Sequence, residues 1–150
     1  MIRSVELVLR NLSVSVPTYG TQDSAGVDLQ AAILTSIQIA PGDFILIDSG
    51  ISINMKSVTE HCMAMIVPRS GKGCKGLALK NGTGIIDQDY QGPIKIAAWN
   101  TNKDTYITVD PGERIAQLIF IPLIRASFET VSDFSVETER GSGGFGSTGK

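Results

Sequence analysis

The chain has 150 residues, 42% hydrophobic and 19% charged, with 13 basic against 15 acidic side chains and a formal net charge of −2. That length fits one domain with its own core, and the charge offers no broad positive field to a nucleic-acid duplex. No apolar run reaches the ~18 residues of a membrane span, and MIRSVELVLR lacks a basic-then-apolar leader pattern, so a cytoplasmic or nucleoplasmic home is expected.

Sixteen glycines and six prolines punctuate the chain at short intervals, which leaves little room for long helices and predicts an all-β architecture. In chain order, apolar and polar residues alternate over 12–16, 33–39, 51–55, 63–67, 94–99 and 106–109, each a predicted short strand. Apolar runs at 44–47, 115–121 and 127–131 add candidate buried strands. APGD (40–43) and DPGE (110–113) place Pro-Gly where a type II turn needs it. A short helical turn is compatible with the residues after Pro68, but no longer stretch keeps a helical period, which disfavours an α/β nucleotide fold. Many short strands at this spacing read as a sandwich or barrel. Cys62 and Cys74 have neither C-x-x-C spacing nor neighbouring His and read as free thiols. His61 stands alone and reads as a surface or packing residue.

Three segments can carry chemistry. The terminal RGSGGFGSTGK (140–150) has no acidic residue; it reads either as a solvated linker or as a lid whose Arg, hydroxyls and backbone N–H groups meet an anion while Phe145 covers a planar ring. GIIDQDYQGPI (84–94) has apolar ends and a polar centre, which predicts a hairpin presenting Asp87, Asp89 and Tyr90. There an Asp either caps its own turn or serves as a general base toward water. PRSGKGCKG (68–76) combines a bidentate donor, a hydroxyl and a Gly-rich continuation, but it is not a Walker P-loop. AGVDL (25–29) and GERIAQLI (112–119) add Asp28, Arg114 and Gln117, each equally readable as a loop carboxylate, a strand-edge charge or a satisfied amide.

Taken in order, AGVDL, PRSG, NGTGIIDQDYQG, GERIAQLI and RGSGGFGSTG resemble the five motifs of the trimeric dUTP diphosphatases (dUTPases). The resemblance runs from Ala25 to Gly149. It implies a jelly-roll-like β domain (1–136) and a flexible C-terminal arm (137–150), assembled as a homotrimer with active sites at subunit interfaces. It further implies Mg²⁺-assisted hydrolysis of dUTP to dUMP and pyrophosphate, which limits uracil incorporation into DNA and supplies dUMP for dTMP synthesis.

Carried over by position, the resemblance makes Asp87 the carboxylate that activates the attacking water and Tyr90 the ring beneath the deoxyribose. Asn81 would read the uracil edge alongside backbone groups at Gly84 and Ile86. Arg69, Ser70, Gly71 and Gln117 would hold the phosphates, and Arg114 would be structural. Asp28 would approach Mg²⁺ through its water shell, the metal being held mainly by the triphosphate. In the arm, Phe145 would stack on uracil, Arg140, Ser147 and Thr148 would contact the γ-phosphate, and Gly146 would also belong to the substrate-binding set. Val27 and Lys72-Gly73-Cys74 depart from the usual family residues. The dCTP deaminases share this fold, but their signature is not what surrounds Asp87. Two other readings are compatible with the scaffold: a nucleotide-dependent interaction module, and a structural protein.

Overall fold

A computed structural model describes residues 4–144. Among them, eleven strands run in chain order: β1 (Glu6–Leu9), β2 (Val27–Gln30), β3 (Ile37–Ile39), β4 (Phe44–Asp48), β5 (Ile51–Asn54), β6 (Cys62–Pro68), β7 (Leu77–Leu79), β8 (Gly84–Ile86), β9 (Lys95–Asn100), β10 (Ile107–Val109) and β11 (Arg114–Pro122). A single helical turn, α1 (Ser70–Gly73), follows Pro68 as the sequence allows. No helix among the described residues is long and apolar enough to cross a membrane.

The strands form a four-stranded sheet β2-β11-β6-β8, a three-stranded sheet β4-β9-β7, and the pairs β1-β5 and β10-β3. Every ladder among the described residues is antiparallel, so one face of each strand can be apolar and the other wet. β2 shows the rule plainly, with Val27 and Leu29 buried and Asp28 and Gln30 on the wetter side. Inward side chains of all four sheets, among them Leu29, Leu118, Ile66, Ile47, Ile96, Ile51, Ile39 and Val109, join one buried cluster. Each contributes about 1.5–3 kcal/mol by leaving water. Buried Asn100 is fully paired: its Nδ2 donates to Ile39 O (2.9 Å) and Thr105 O (2.8 Å), and its Oδ1 accepts from Asn102 N (3.0 Å).

Both Pro-Gly turns form as expected. Gly42 (φ 81°) and Gly112 (φ 72°) take the left-handed third position, closed by Asp43 N to Ala40 O and Glu113 N to Asp110 O, each 3.1 Å. Cys62 and Cys74 are both free.

Two predicted strands are absent. Over 12–16 the side chain of Asn11 accepts from Ser13 N at 2.9 Å, an Asx turn that competes with a ladder. Only Val14 there is buried, while Leu12 is 90% exposed; the N-terminal strand lies upstream as β1, paired with β5. Over 127–131 there is no strand either, and Phe128 is 99% exposed, because this chain offers those side chains no facing sheet. The expected hairpin at 84–94 is also corrected. β8 pairs with β6, whereas β9 pairs with β4 and β7, so 87–94 is an arch between two sheets. Ile94 bonds instead to Ile51 and Ser49, while Pro93 has no N–H to give a ladder.

Candidate active site

The first group of site residues gathers on the four-stranded sheet. Asp28 in β2 lies opposite Gln117 in β11, which lies opposite Val67 in β6. The β2 alternation turns Asp28 outward, where Arg69 Nε meets its Oδ1 at 2.7 Å and Arg114 Nη1 meets its Oδ2 at 3.1 Å. One guanidinium on each carboxylate oxygen fixes both forks, and a held guanidinium still has N–H groups for a phosphate. Gln117 Nε2 donates to Pro68 O at 3.4 Å, tying the amide to the segment that carries Arg69. Ser70 and Gly71 open α1 directly after Arg69, and a Cβ added at Gly71 would meet nothing within 4 Å. Of the departing residues, Lys72 ion-pairs with Glu113 of the DPGE turn, and Val27 is buried beside Leu118.

This group also sets what metal chemistry fits. Asp28 commits one acceptor direction per oxygen to a guanidinium, and the described residues contain no group of three or more His, Cys, Asp or Glu that could hold an ion. Such a donor set suits a Mg²⁺ carried by substrate phosphates and reached through water, not an all-protein cage.

The second group sits on the arch. Gly84 lets β8 lie against β6, since a Cβ there would come within 3.0 Å of Ile66 Cβ. The β8 ladder ends at Ile86, opposite Ala64, and Asp87 follows at once. Tyr90 N donates back to Asp87 O at 3.1 Å, and the Tyr90 hydroxyl donates to Pro93 O at 3.0 Å. Gly92 leaves room for this ring as it is placed: a Cβ there would stand 2.5 Å from Tyr90 Oη, so one of the two would have to shift. Ile85, Ile86, Asp87, Tyr90, Pro93 and Lys95 line a cavity of about 210 Å³. Asp87 also borders a second cavity of about 200 Å³, with Lys56, His61, Cys62, Gln88 and Arg125. Burial pushes the Cys62 thiol pKa up, and the negative charge of Glu60 adds to it. Asn81 occupies the turn before β8, its carbonyl accepting from Thr83 N at 2.8 Å, and does not line the Tyr90 cavity.

Sequence reasoning passed over Gly92, Lys95 and Gln88. The first has a readable signal, a glycine two residues after an aromatic, where a ring folding back needs an empty Cβ position. Arg140 lies in a turn, with Gly143 N donating to its carbonyl at 3.0 Å. Phe145, Gly146, Ser147 and Thr148 lie outside the described residues.

One chain does not bring the two groups together. Asp87 leaves the sheet beside Met63, near the start of β6, and Arg69 follows its end. Six residue steps at ~3.3 Å separate those positions by roughly 20 Å.

The dUTPase family model matches residues 13–149. The chain belongs to the dUTPase family. It is 47% identical over 135 residues to a deoxyuridine 5'-triphosphate nucleotidohydrolase of Xanthomonas oryzae pv. oryzae, covering 89% of this chain and 84% of that dUTPase. It is 46% identical over 136 residues to the Escherichia coli protein of that name, covering 90% and 87%. Among solved structures, the Staphylococcus bacteriophage 80alpha dUTPase with dUpNHpp aligns at TM-score 0.86 and 23% identity, over 99% of this chain and 100% of that one. A mutant dUTPase from phage phi11 of S. aureus, described for its coordination of a structural Mg(II) ion, aligns at 0.78 and 18%, over 89% and 100%. These likenesses carry the fold, and the all-β, jelly-roll-like dUTPase architecture expected from the sequence holds.

Proposed function

We propose that this dUTPase hydrolyses dUTP to dUMP and pyrophosphate, in active sites shared between copies of the chain in a homotrimer. The observation that carries the chemistry is the placing of Asp87 and Tyr90 on one cavity, within a chain 47% identical to a named dUTP nucleotidohydrolase. Tyr90 forms the floor for the deoxyribose and leaves no room for a 2′-hydroxyl. Ile86, on this cavity, and the adjoining backbone of Gly84 frame the uracil, while Asn81 in the turn before β8 does not reach the cavity in the single chain. Asp87 accepts a proton from a water as its oxygen bonds to the α-phosphorus; the bond from that phosphorus to the bridging oxygen breaks, pyrophosphate leaves with the electron pair, and the proton passes on to solvent. Arg69, Ser70, Gly71 and Gln117 orient the phosphates. Asp28 would face a Mg²⁺ brought by the substrate, and the ion would supply neutralisation of phosphate charge.

The ~20 Å between Asp87 and Arg69 supports the shared site, because a general base works within hydrogen-bond reach of its proton. Exposed apolar side chains after β11 point the same way: Ile124 is 97% exposed, Phe128 99% and Phe134 87% in the single chain, a pattern expected of surface that another copy covers. Residues 137–150 then serve as the arm, with Phe145 closing on the base and Arg140, Gly146, Ser147 and Thr148 on the far phosphates. In the cell the reaction would keep uracil out of DNA and supply dUMP for dTMP synthesis.

The test is pyrophosphate release from dUTP, dTTP, dCTP, UTP and dATP with Mg²⁺ and with EDTA. Release from dUTP alone, lost in EDTA, is the expected result. Hydrolysis of several nucleotides would overturn the pocket assignments, and no hydrolysis by folded protein would overturn the enzymatic reading.

A further inference from the structure

Asp87 is the first residue beyond the β8 ladder, so no strand partner fixes its carboxylate. The residue next to it is held by its side chain. Gln88 Nε2 donates to three backbone carbonyls of the loop between β5 and β6: Met55 O at 3.2 Å, Val58 O at 3.2 Å and Glu60 O at 3.1 Å. Three carbonyl oxygens aimed at one point repel one another unless a donor stands among them, and an amide offers two N–H groups, one of them shared. The loop is anchored in turn, since Met55 is fully buried and Val58 N donates to Met55 O at 3.0 Å. At the far end of the arch Ser52 Oγ donates to Gly92 O at 2.9 Å, and Arg10 donates to Ser52 Oγ and to Gln91 O.

We infer that Gln88 is the positioning residue of the catalytic carboxylate: its amide clamps the 55–60 loop and thereby sets the backbone, and so the carboxylate direction, of Asp87. The inference rests on the role proposed for Asp87. Gln88 itself does not line the Tyr90 cavity, so its loss should disturb the reacting geometry more than nucleotide binding. Displacements of about 1 Å at a reacting centre cost on the order of 100-fold in rate.

The experiment compares Gln88→Met, similar in length without a donor, with Gln88→Lys, whose ammonium brings three N–H groups to three carbonyls. Steady-state kinetics on dUTP and binding of dUpNHpp are measured on the full-length protein, beside Asp87→Asn. Gln88→Met should lower kcat roughly 10- to 100-fold while KM and dUpNHpp affinity stay within about twofold, and Gln88→Lys should recover most of that loss. Wild-type kcat in Gln88→Met, or a matching loss of nucleotide affinity, would overturn the positioning role. Should Gln88→Met fail to fold, Gln88→Lys decides alone: kcat near wild type supports the clamp, and a kcat as low as about one-tenth overturns it. If Asp87→Asn itself keeps full turnover, the underlying assignment of Asp87 falls instead, and the two failures are thus told apart.

Discussion

The two halves of the candidate site lie at opposite ends of β6 and are held by opposite means. The Asp28 group is ionic: a carboxylate between two guanidinium groups, with Lys72 and Glu113 paired beside it. The Asp87 arch is held by hydrogen bonds to main-chain oxygens, through Gln88, Tyr90, Ser52 and Arg10. The difference suits the tasks proposed for the two ends. A phosphate grip needs excess donors and tolerates small shifts, because charge attraction falls slowly with distance. A general base needs a direction, which short-range hydrogen bonds supply and long-range charge does not.

The largest effect should come from the arch. Asp87→Asn keeps the shape and removes the acceptor charge, so turnover should fall by roughly 10²–10⁴-fold with dUpNHpp binding retained; unaltered turnover would remove Asp87 from the chemistry. A smaller effect should follow Gly92→Ala, which pushes a Cβ to 2.5 Å from Tyr90 Oη and should displace the ring. KM for dUTP should rise roughly tenfold and discrimination against UTP should narrow; unchanged selectivity would detach Tyr90 from the sugar filter. The smallest effect belongs to the ionic end. Arg114 is well exposed, so Arg114→Ala should cost less than about 1 kcal/mol of stability and shift Tm by no more than about 2–4 °C. A much larger drop would mean that this pair carries the sheet.

The unequal construction also decides what the sequence reveals. Strands with one buried face are legible because alternation is local: the inner residues of Cys62–Pro68 match their predicted span closely. The Pro-Gly turns are equally legible, because φ restriction sits in the residues themselves. Over 12–16 the same alternation misleads, since one Asn11 side chain captures the backbone. Pairing is not local at all, so 84–94 reads as a hairpin although its two strands join different sheets. Within the site, Asp28, Arg69 and Gln117 are recognisable by motif, and their convergence follows from the β2-β11-β6 register. The clamp by Gln88 is invisible beforehand, because its three acceptors are backbone carbonyls and any sequence supplies those. The distance between the two ends is likewise a property of strand order, not of any motif.

That distance carries the central claim, that one chain's Asp87 works with another chain's Arg69. Co-expressing Asp87→Asn and Arg69→Ala copies with different tags, and purifying mixed oligomers through both tags, measures it directly. Each variant alone should be nearly inactive. A shared site pairs the intact arch of one copy with the intact phosphate grip of another at one interface in three of every mixed trimer, so the mixed oligomers should regain about a third of wild-type turnover. Mixed oligomers no more active than the two variants separately would place both groups in the same chain's site and contradict the account.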